Sequence, residues 1–171
     1  SVVLISGEAG MGKTRLVEEA AALASEQGAT VLTGRASGGD ELPYGLFPEI
    51  LRGCQDEEDE EPLRAVVGEL APHLWSAVFD GEQAPSEDAT SAASPEVRQA
   101  LFMSRLASLV SARARGGALL LCLEDLHWAD SASLHALNYL SRRVADTAIV
   151  VLATYRPEEV GDDAGLLRHL Q

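Results

Sequence analysis

Four short apolar runs, separated by stretches of helical periodicity, set the pattern of this chain. The runs cover residues 2–5, 30–33, 118–123 and 148–153, and all but the second are continuously apolar. Continuous apolar runs of this length are typical of parallel strands that helices cover on both faces. The pattern therefore predicts an α/β fold built on a parallel sheet.

Apolar residues at helical spacing occupy most of the sequence between these runs. Predicted helices begin near Lys13, Pro48 and Pro95, the last with Ser94 as its cap, and another is capped by Asp130 or Ser131. Shorter helices are expected at residues 63–70, 72–79 and 162–170. The helices between about residues 47 and 115 form a predicted helical insertion in a single domain.

Three polar segments are predicted to lie outside the regular elements. Residues 34–39 contain three glycines and are interpreted as a loop. Residues 56–61 are an uninterrupted acidic run, interpreted as a solvated loop or helix start without chemistry. Residues 80–94 are small and polar without periodicity, so we expect a mobile loop, because little apolar area is available to offset the entropy of ordering.

The balance of charges narrows the classes of function. The 171 residues suffice for one α/β domain, and 13 Lys and Arg against 27 Asp and Glu give a net charge of −14. Such a charge argues against direct DNA binding by this segment through phosphate contacts. It does not exclude a nucleotide, which a local nest of backbone amides and one lysine can bind.

The cysteines and the apolar runs indicate a cytoplasmic protein. Cys54 and Cys122 show no metal-ligand spacing, and Cys122 lies inside an apolar run, where a buried thiol is expected. No apolar run approaches the roughly twenty residues of a membrane span. The first strand begins immediately, without a signal-peptide pattern, so we interpret the sequence as a truncated domain.

The first strand leads into the motif Gly-x-x-x-x-Gly-Lys-Thr, which opens the first helix. Its glycines let backbone amides approach a phosphate chain, and the helix directs free N–H groups to the same place. Lys13 would reach the β- and γ-phosphates of ATP, and the Thr14 hydroxyl would bind Mg²⁺. The predicted nucleotide-binding residues are Gly7, Glu8, Ala9, Gly10, Met11, Gly12, Lys13, Thr14 and Arg15.

Two carboxylates follow the third strand. Glu124 and Asp125 come directly after the apolar run 118–123, and Thr154 and Arg156 follow the fourth run. Open α/β sheets place ligands at the carboxyl ends of their strands. We therefore expect these side chains to face the phosphates bound by the first loop.

Three segments together resemble the ATPase domain of STAND-type signal-transduction proteins, within the AAA-like P-loop ATPases. They are GEAGMGKTRLVEE, LLLCLEDLHWADSASL and VVLATYRPEEV. The likeness covers most of the chain but is weak from about residue 55 to 94. The combination EDLHWAD and TYRPEE is most similar to large ATP-binding transcriptional regulators of the LuxR type, and also looks like ATPase segments attached to bacterial nucleotide cyclases.

The resemblance implies a P-loop NTPase three-layer sandwich with strand order 1-4-3-2 and a fifth strand beyond residue 171. The first strand would then be an open edge, and unpaired edges favour pairing with other chains. We therefore expect aggregation or low stability when this segment is expressed alone, and self-association that depends on nucleotide. The implied partners are ATP or ADP and domains outside this sequence, and no membrane.

The resemblance also implies roles for individual residues. Glu124 would support Mg²⁺, Asp125 would polarise the attacking water, and Arg156 would sense the γ-phosphate. The Glu-Asp order departs from the Asp-Glu pair common in P-loop ATPases with fast turnover. It implies slow hydrolysis, because a small displacement of the base can lower the rate about a hundredfold. His127 and Trp128 are interpreted as packing and loop-positioning residues.

The leading hypothesis is an ATP-dependent switch with weak ATPase activity. Two alternatives stay open at this point. A small-molecule P-loop kinase would use the same loop but needs an acceptor pocket and basic lid residues. A non-hydrolysing interaction module would keep the nucleotide as a structural element.

Overall fold

The computed structural model describes residues 1–38, 42–55, 60–79, 94–144 and 147–160. Its strands and helices follow in the order β1 (Val2–Ser6), α1 (Lys13–Glu26), β2 (Thr30–Arg35), α2 (Pro48–Gly53), α3 (Glu60–Leu70), α4 (Trp75–Val78), α5 (Pro95–Arg113), β3 (Leu119–Glu124), α6 (Ser131–Arg143) and β4 (Ile149–Tyr155). Short 3₁₀ turns cover Pro72–Leu74, Leu126–Trp128 and Pro157–Glu159. The expected mobile loop at residues 80–94, apart from Ser94, and the helix at 162–170 lie outside the described residues.

The four strands form one parallel sheet in the order β1-β4-β3-β2. This confirms the α/β fold class and the predicted order 1-4-3-2, with β1 at one edge of the described sheet. Ser6 pairs with Tyr155, Ala153 with Leu123, and Arg35 with Glu124. The carboxyl ends of all four strands therefore meet at one edge of the sheet.

The prediction that residues 34–39 form a loop was wrong for the first two of them. Gly34 and Arg35 continue β2, and Gly34 is buried. A Cβ atom at Gly34 would lie 2.7 Å from the Leu46 carbonyl oxygen and 2.9 Å from Cδ1 of Ile50. Glycine stands here because the segment leading into α2 crosses the strand closely, a tertiary cause that the sequence pattern does not show.

The two faces of the sheet carry unequal cores. On one face, α2 to α6 bury a large cluster with strand residues such as Leu121, Leu123 and Val151. On the other face, Val17 is the buried residue of α1 that packs against Leu120, Cys122 and Leu152, and partly buried Ala20, Ala21 and Ala24 of α1 pack beside it. Within the described residues, α1 is therefore attached by a thin apolar layer.

The helices between β2 and β3 supply much of the larger core. Tyr44 and Phe47 are buried, and the ring centroid of Tyr44 lies 4.2 Å from that of Phe102 on α5. Both residues therefore belong to the core. Cys122 is buried, as expected, and burial raises the pKa of its thiol to about 11. Among the described residues, no helix combines the length and apolar character needed to cross a bilayer.

Candidate functional site

The loop between β1 and α1 has the backbone shape of an anion cradle. Gly10 and Gly12 adopt positive φ angles of 80° and 84°. An L side chain rarely adopts this conformation, and no other atom lies within 4 Å of where a Cβ would stand at either residue. Successive backbone amides in such a turn can point to one centre, as an anion-binding nest requires.

The Lys13 side chain folds back over this loop. Its ammonium group donates hydrogen bonds to the carbonyl oxygens of Gly7, at 2.7 Å, and Glu8, at 2.8 Å. Both acceptors belong to the loop itself, so the positive charge is fixed beside the cradle by local contacts. The predicted role of Lys13 in binding phosphate stays a prediction.

The N-terminus of α1 differs from those of α5 and α6. Ser94 and Asp130 accept hydrogen bonds from backbone amides at the start of α5 and α6. At α1 the cap is Gly12, no side chain accepts such a bond, and the first turn contains no acidic residue. The first amides of α1 and its positive dipole end are therefore available to an external anion.

The two predicted carboxylates lie at the same edge of the sheet as this loop. Glu124 ends β3, and Asp125 follows in a left-handed conformation, with φ of 59°. The Asp125 backbone N–H donates to Oγ1 of buried Thr154 at 3.1 Å. Only β4 separates β3 from β1, so the two strands lie about 10 Å apart. A bound triphosphate can extend between them.

Arg35 pairs with both carboxylates across neighbouring strands. Its Nη2 lies 3.1 Å from Oε2 of Glu124, and its Nε lies 3.6 Å from Oδ2 of Asp125. The hydrogen bond and charge of Glu124, with a smaller contribution from Asp125, raise the pKa of Arg35. The guanidinium therefore neutralises two adjacent carboxylates, which would otherwise repel each other.

A second cluster follows β4. Arg156 donates a hydrogen bond to the Glu159 carboxylate, and its guanidinium lies 5.6 Å from the Trp128 ring centroid. The His127 side chain is fully buried, with Nε2 at 3.4 Å from Oε2 of Glu159. Burial lowers the pKa of His127, and the positive charges of Arg156 and Lys13 act in the same direction, against Asp125 and Glu159.

Asp130 connects the carboxylate loop to the segment before α2. Its Oδ1 accepts from the backbone N–H of Tyr44 at 3.1 Å and of Ser133 at 2.9 Å. Its Oδ2 accepts from the Gly45 N–H at 3.1 Å and from the Ser133 hydroxyl. Asp130 is thus the cap of α6, one of the two residues expected in that role, and also a tertiary anchor.

The structure brings most of the predicted residues to one edge of the sheet. Glu124 ends β3, and the phosphate loop, Asp125 and Arg156 follow the carboxyl ends of β1, β3 and β4. Arg15 is an exposed residue of α1, and its predicted nucleotide contact stays a prediction. Sequence reasoning missed Arg35 and Glu159. Arg35 could have been found by extending β2 by two residues, whereas no sequence signal links Glu159 to His127.

The residues present suit a metal ion that is shared with a nucleotide. Among the residues described, no group of three or more His, Cys, Asp or Glu side chains could hold a metal ion by itself. Thr14 and Glu124 offer oxygen ligands, which Mg²⁺ prefers, and phosphate oxygens would complete its shell. The fit is therefore to Mg²⁺ bound with a phosphate ligand, in agreement with the cradle at Gly10 and Gly12.

Two comparisons with known proteins bear on this site. The family model described as "AAA ATPase domain" matches residues 1–152. This range includes the phosphate loop, the carboxylate pair and most of β4. A search of curated proteins found no match.

Proposed function

The chain belongs to the AAA ATPase domain family, and from this premise we propose that it is an ATP-binding, slowly hydrolysing switch domain of a signal-transducing regulator. Family membership implies nucleotide binding. The observation that carries the proposal is the arrangement of the anion cradle and the Glu124–Asp125 pair at one edge of the sheet, with only β4 between them.

The residues of the phosphate loop would bind the phosphates of the nucleotide. The amides of the loop and of the first turn of α1 donate to phosphate oxygens, and Lys13 adds a positive charge. The Lys13 ammonium group lies over the loop, held by the carbonyl oxygens of Gly7 and Glu8. The loop is exposed, with Met11 73% accessible, which leaves a path for the nucleotide.

The carboxylate side supplies the metal ligand and the base. Mg²⁺, when bound, would neutralise charge that develops on the phosphates. Thr14 and Glu124 would hold it, while Asp125 would orient a water molecule for attack. The hydrogen bond between the Asp125 N–H and Thr154 fixes the base relative to β4. Because Arg35 pairs with both carboxylates, neither is free to act until that contact rearranges, which favours slow hydrolysis.

The switch would operate through Arg156 and the segment that follows β4. Arg156 would respond to a γ-phosphate, and it contacts nearby Glu159 and, across the sheet edge, Trp128. A change at Arg156 would therefore move residues 156–160. Because of the resemblance to LuxR-type regulators, we propose that the domain is part of a bacterial transcriptional regulator. The bound nucleotide would change how this domain packs against domains outside this sequence.

Nucleotide affinity tests the binding half of this proposal. We expect wild-type protein to bind ATP and ADP, and Lys13→Ala to weaken ATP binding by about 100-fold, because it removes a charged hydrogen-bond donor to phosphate. Lys13→Arg and Arg105→Gln, an exposed change on α5, are the controls. Equal ATP affinity of wild type and Lys13→Ala, measured by isothermal titration calorimetry, would defeat the assignment.

Single-turnover hydrolysis tests the catalytic half. We expect Asp125→Asn to keep ATP affinity within about twofold and to lower turnover by about 100-fold, in the range that general-base catalysis contributes. Unchanged turnover would reject Asp125 as the base. No loss of ATP in the wild type would favour the non-hydrolysing module, and transfer of phosphate to a metabolite instead of water would favour the kinase.

A further inference from the structure

A cleft of about 780 Å³ lies between α5 and α6, and we call it the α5–α6 cleft. Its lining includes Met103 of α5 and Tyr139 of α6, which are both partly buried and packed against the larger core. Sites for small molecules typically enclose roughly 300–1,000 Å³ and combine a mainly apolar lining with a few polar groups. The cleft therefore has the size of such a site, with Met103 and Tyr139 as its apolar floor.

The polar groups of the α5–α6 cleft are neutral or basic. His135, Arg142 and Arg143 are exposed residues of α6 that line it, and Gln99 and Asn138 add neutral hydrogen-bonding groups. Among the described lining residues none is acidic, although the whole chain contains 27 Asp and Glu against 13 Lys and Arg. A basic lining in so acidic a chain favours an anionic ligand.

The two arginines of the cleft are not engaged by other charged groups of the fold. Within the part of the chain that the structure describes, neither Arg142 nor Arg143 forms an ion pair, and the guanidinium of Arg143 lies 6.0 Å from the ring centroid of Tyr139. Basic residues in the last turn of a helix also complement its dipole, but that effect does not require them to line a cleft. Their N–H donors therefore remain available to a carboxylate or phosphate.

The length of the cleft favours a small molecule over a protein segment. His135 and Arg142 are seven positions apart on α6, so the lined part of the helix is about 10 Å long. An extended peptide spans about 3.3 Å per residue, and only about three of its residues would fit along this length. The same length accommodates a compact organic molecule whose charged group lies at the arginine end.

The α5–α6 cleft is separate from the proposed nucleotide site. α6 begins after its cap Asp130, beside the carboxylate loop, and leads to the amino end of β4. Its last turn, with Arg142 and Arg143, therefore lies toward the edge of the sheet opposite the phosphate loop. None of the described lining residues belongs to the phosphate loop, the carboxylate pair or the segment after β4.

We propose that the α5–α6 cleft binds a small amphipathic organic anion. The apolar body of the ligand lies on Met103 and Tyr139, and its carboxylate or phosphate group pairs with Arg142 and Arg143. The proposal goes beyond the proposed function, because it assigns a second ligand site that does not involve the bound nucleotide.

Two fluorescent probes that share an apolar body test the requirement for charge. Anilinonaphthalene sulfonate is an amphipathic anion, and phenylnaphthylamine is its neutral counterpart. Titration of the wild-type protein, with MgATP present at saturation, should show one site per chain for the anion and weaker binding of the neutral probe. Displacement of the anionic probe by MgATP, or equal affinity for both probes, would overturn the proposal.

Removing the two positive charges should weaken binding of the anionic probe selectively. In the double variant Arg142→Gln, Arg143→Gln its affinity should fall about tenfold, since two partly screened ion pairs are lost, while affinity for the neutral probe stays unchanged. Arg105→Gln is the matched control, because Arg105 lies on α5 but lines a different groove, next to α3. An equal loss in the control, or an equal loss for both probes, would contradict the assignment.

A change in the apolar floor should weaken both probes. Met103→Gln keeps the length of the side chain but makes it polar, so both affinities should fall about threefold. Urea unfolding of this variant and of the double arginine variant checks that each is folded when it is titrated. Unchanged affinity for both probes in folded Met103→Gln would show that they bind elsewhere and would overturn the cleft as their site.

Competition identifies the charged group of the ligand. Octanoate and octyl phosphate carry the same apolar chain as octanol, and each is titrated against the bound anionic probe. Displacement by either anion, at concentrations at which octanol displaces none, supports the proposal, and the more effective anion identifies the preferred head group. Equal displacement by octanol would show that the arginines do not select an anion, and would overturn it.

Discussion

The two sides of the candidate site are held in place in different ways. On the phosphate-loop side, Lys13 bonds to carbonyl groups five and six residues away, and α1 contributes only Val17 to the fully buried core. On the carboxylate side, Asp125 bonds to Thr154, 29 residues away, and Arg35 reaches Glu124 across 89 residues. One side is local in sequence, and the other is assembled by tertiary contacts.

This difference predicts which mutations should change nucleotide binding alone and which should also change the stability of the fold. A change in the phosphate loop should alter nucleotide binding and leave the stability of the fold nearly intact. A change at a buried or half-buried hydrogen bond of the carboxylate side should alter both, because those hydrogen bonds join separate strands and helices, whereas a change at an exposed ion pair on that side should alter stability little. The free energy of unfolding, measured by urea denaturation, is a common scale for testing this contrast.

The largest effect is expected at Asp130. Asp130→Ala removes the acceptor of four hydrogen bonds and leaves the amides of Tyr44 and Gly45 without a partner, so we expect a loss of about 3 kcal/mol. Ser94→Ala removes the cap of α5, a purely local bond, and should cost about 1 kcal/mol. Equal losses in the two variants would break the distinction between tertiary and local support.

Thr154→Val should have the next largest effect. The substitution keeps the shape of a buried side chain but removes the acceptor for the Asp125 N–H, at a cost of about 1–2 kcal/mol. It should also lower turnover by shifting Asp125. Thr33→Val, at an exposed position of β2, is the control and should change stability by less than 0.5 kcal/mol, a roughly typical surface value. Turnover that is unaffected by Thr154→Val would show that β4 does not position the base.

A smaller loss is expected in the phosphate loop. Gly12→Ala places a side chain at φ of 84°, which costs about 1 kcal/mol of backbone strain without any steric clash. Gly116→Ala, at an open position without a positive φ, should leave stability unchanged or slightly higher. ATP affinity should fall for Gly12→Ala only. A stability loss as large as that of Asp130→Ala would mean that the loop is part of the cooperative core.

The smallest change in stability is expected at Arg35, despite its two ion pairs. Arg35 is 51% exposed, so solvent screens both contacts, and Arg35→Gln should cost less than about 0.5 kcal/mol. Arg105→Gln is the matched charge control. Unfolding in low and high salt measures the remaining electrostatic contribution. A loss above about 1 kcal/mol would place Arg35 among the structural anchors of the carboxylate side.

The fold could be predicted largely because its signals are local. Short apolar runs marked all four strands, and the cap Ser94 with Pro95 marked the start of α5 where the structure has it. The strand order came from the family resemblance. The end of β2 was misjudged because glycine usually ends a strand, whereas Gly34 makes room for Leu46 and Ile50.

The sequence by itself determined the phosphate loop, because its glycines, lysine and helix start lie within eight residues and act through their own backbone. Only the tertiary structure decided which charges face the carboxylates and the residues after β4. Arg35 meets Glu124 because β2 pairs with β3, and Glu159 meets His127 because the segments after β4 and β3 meet at one edge. Such contacts depend on strand order and register, which no single stretch of sequence encodes.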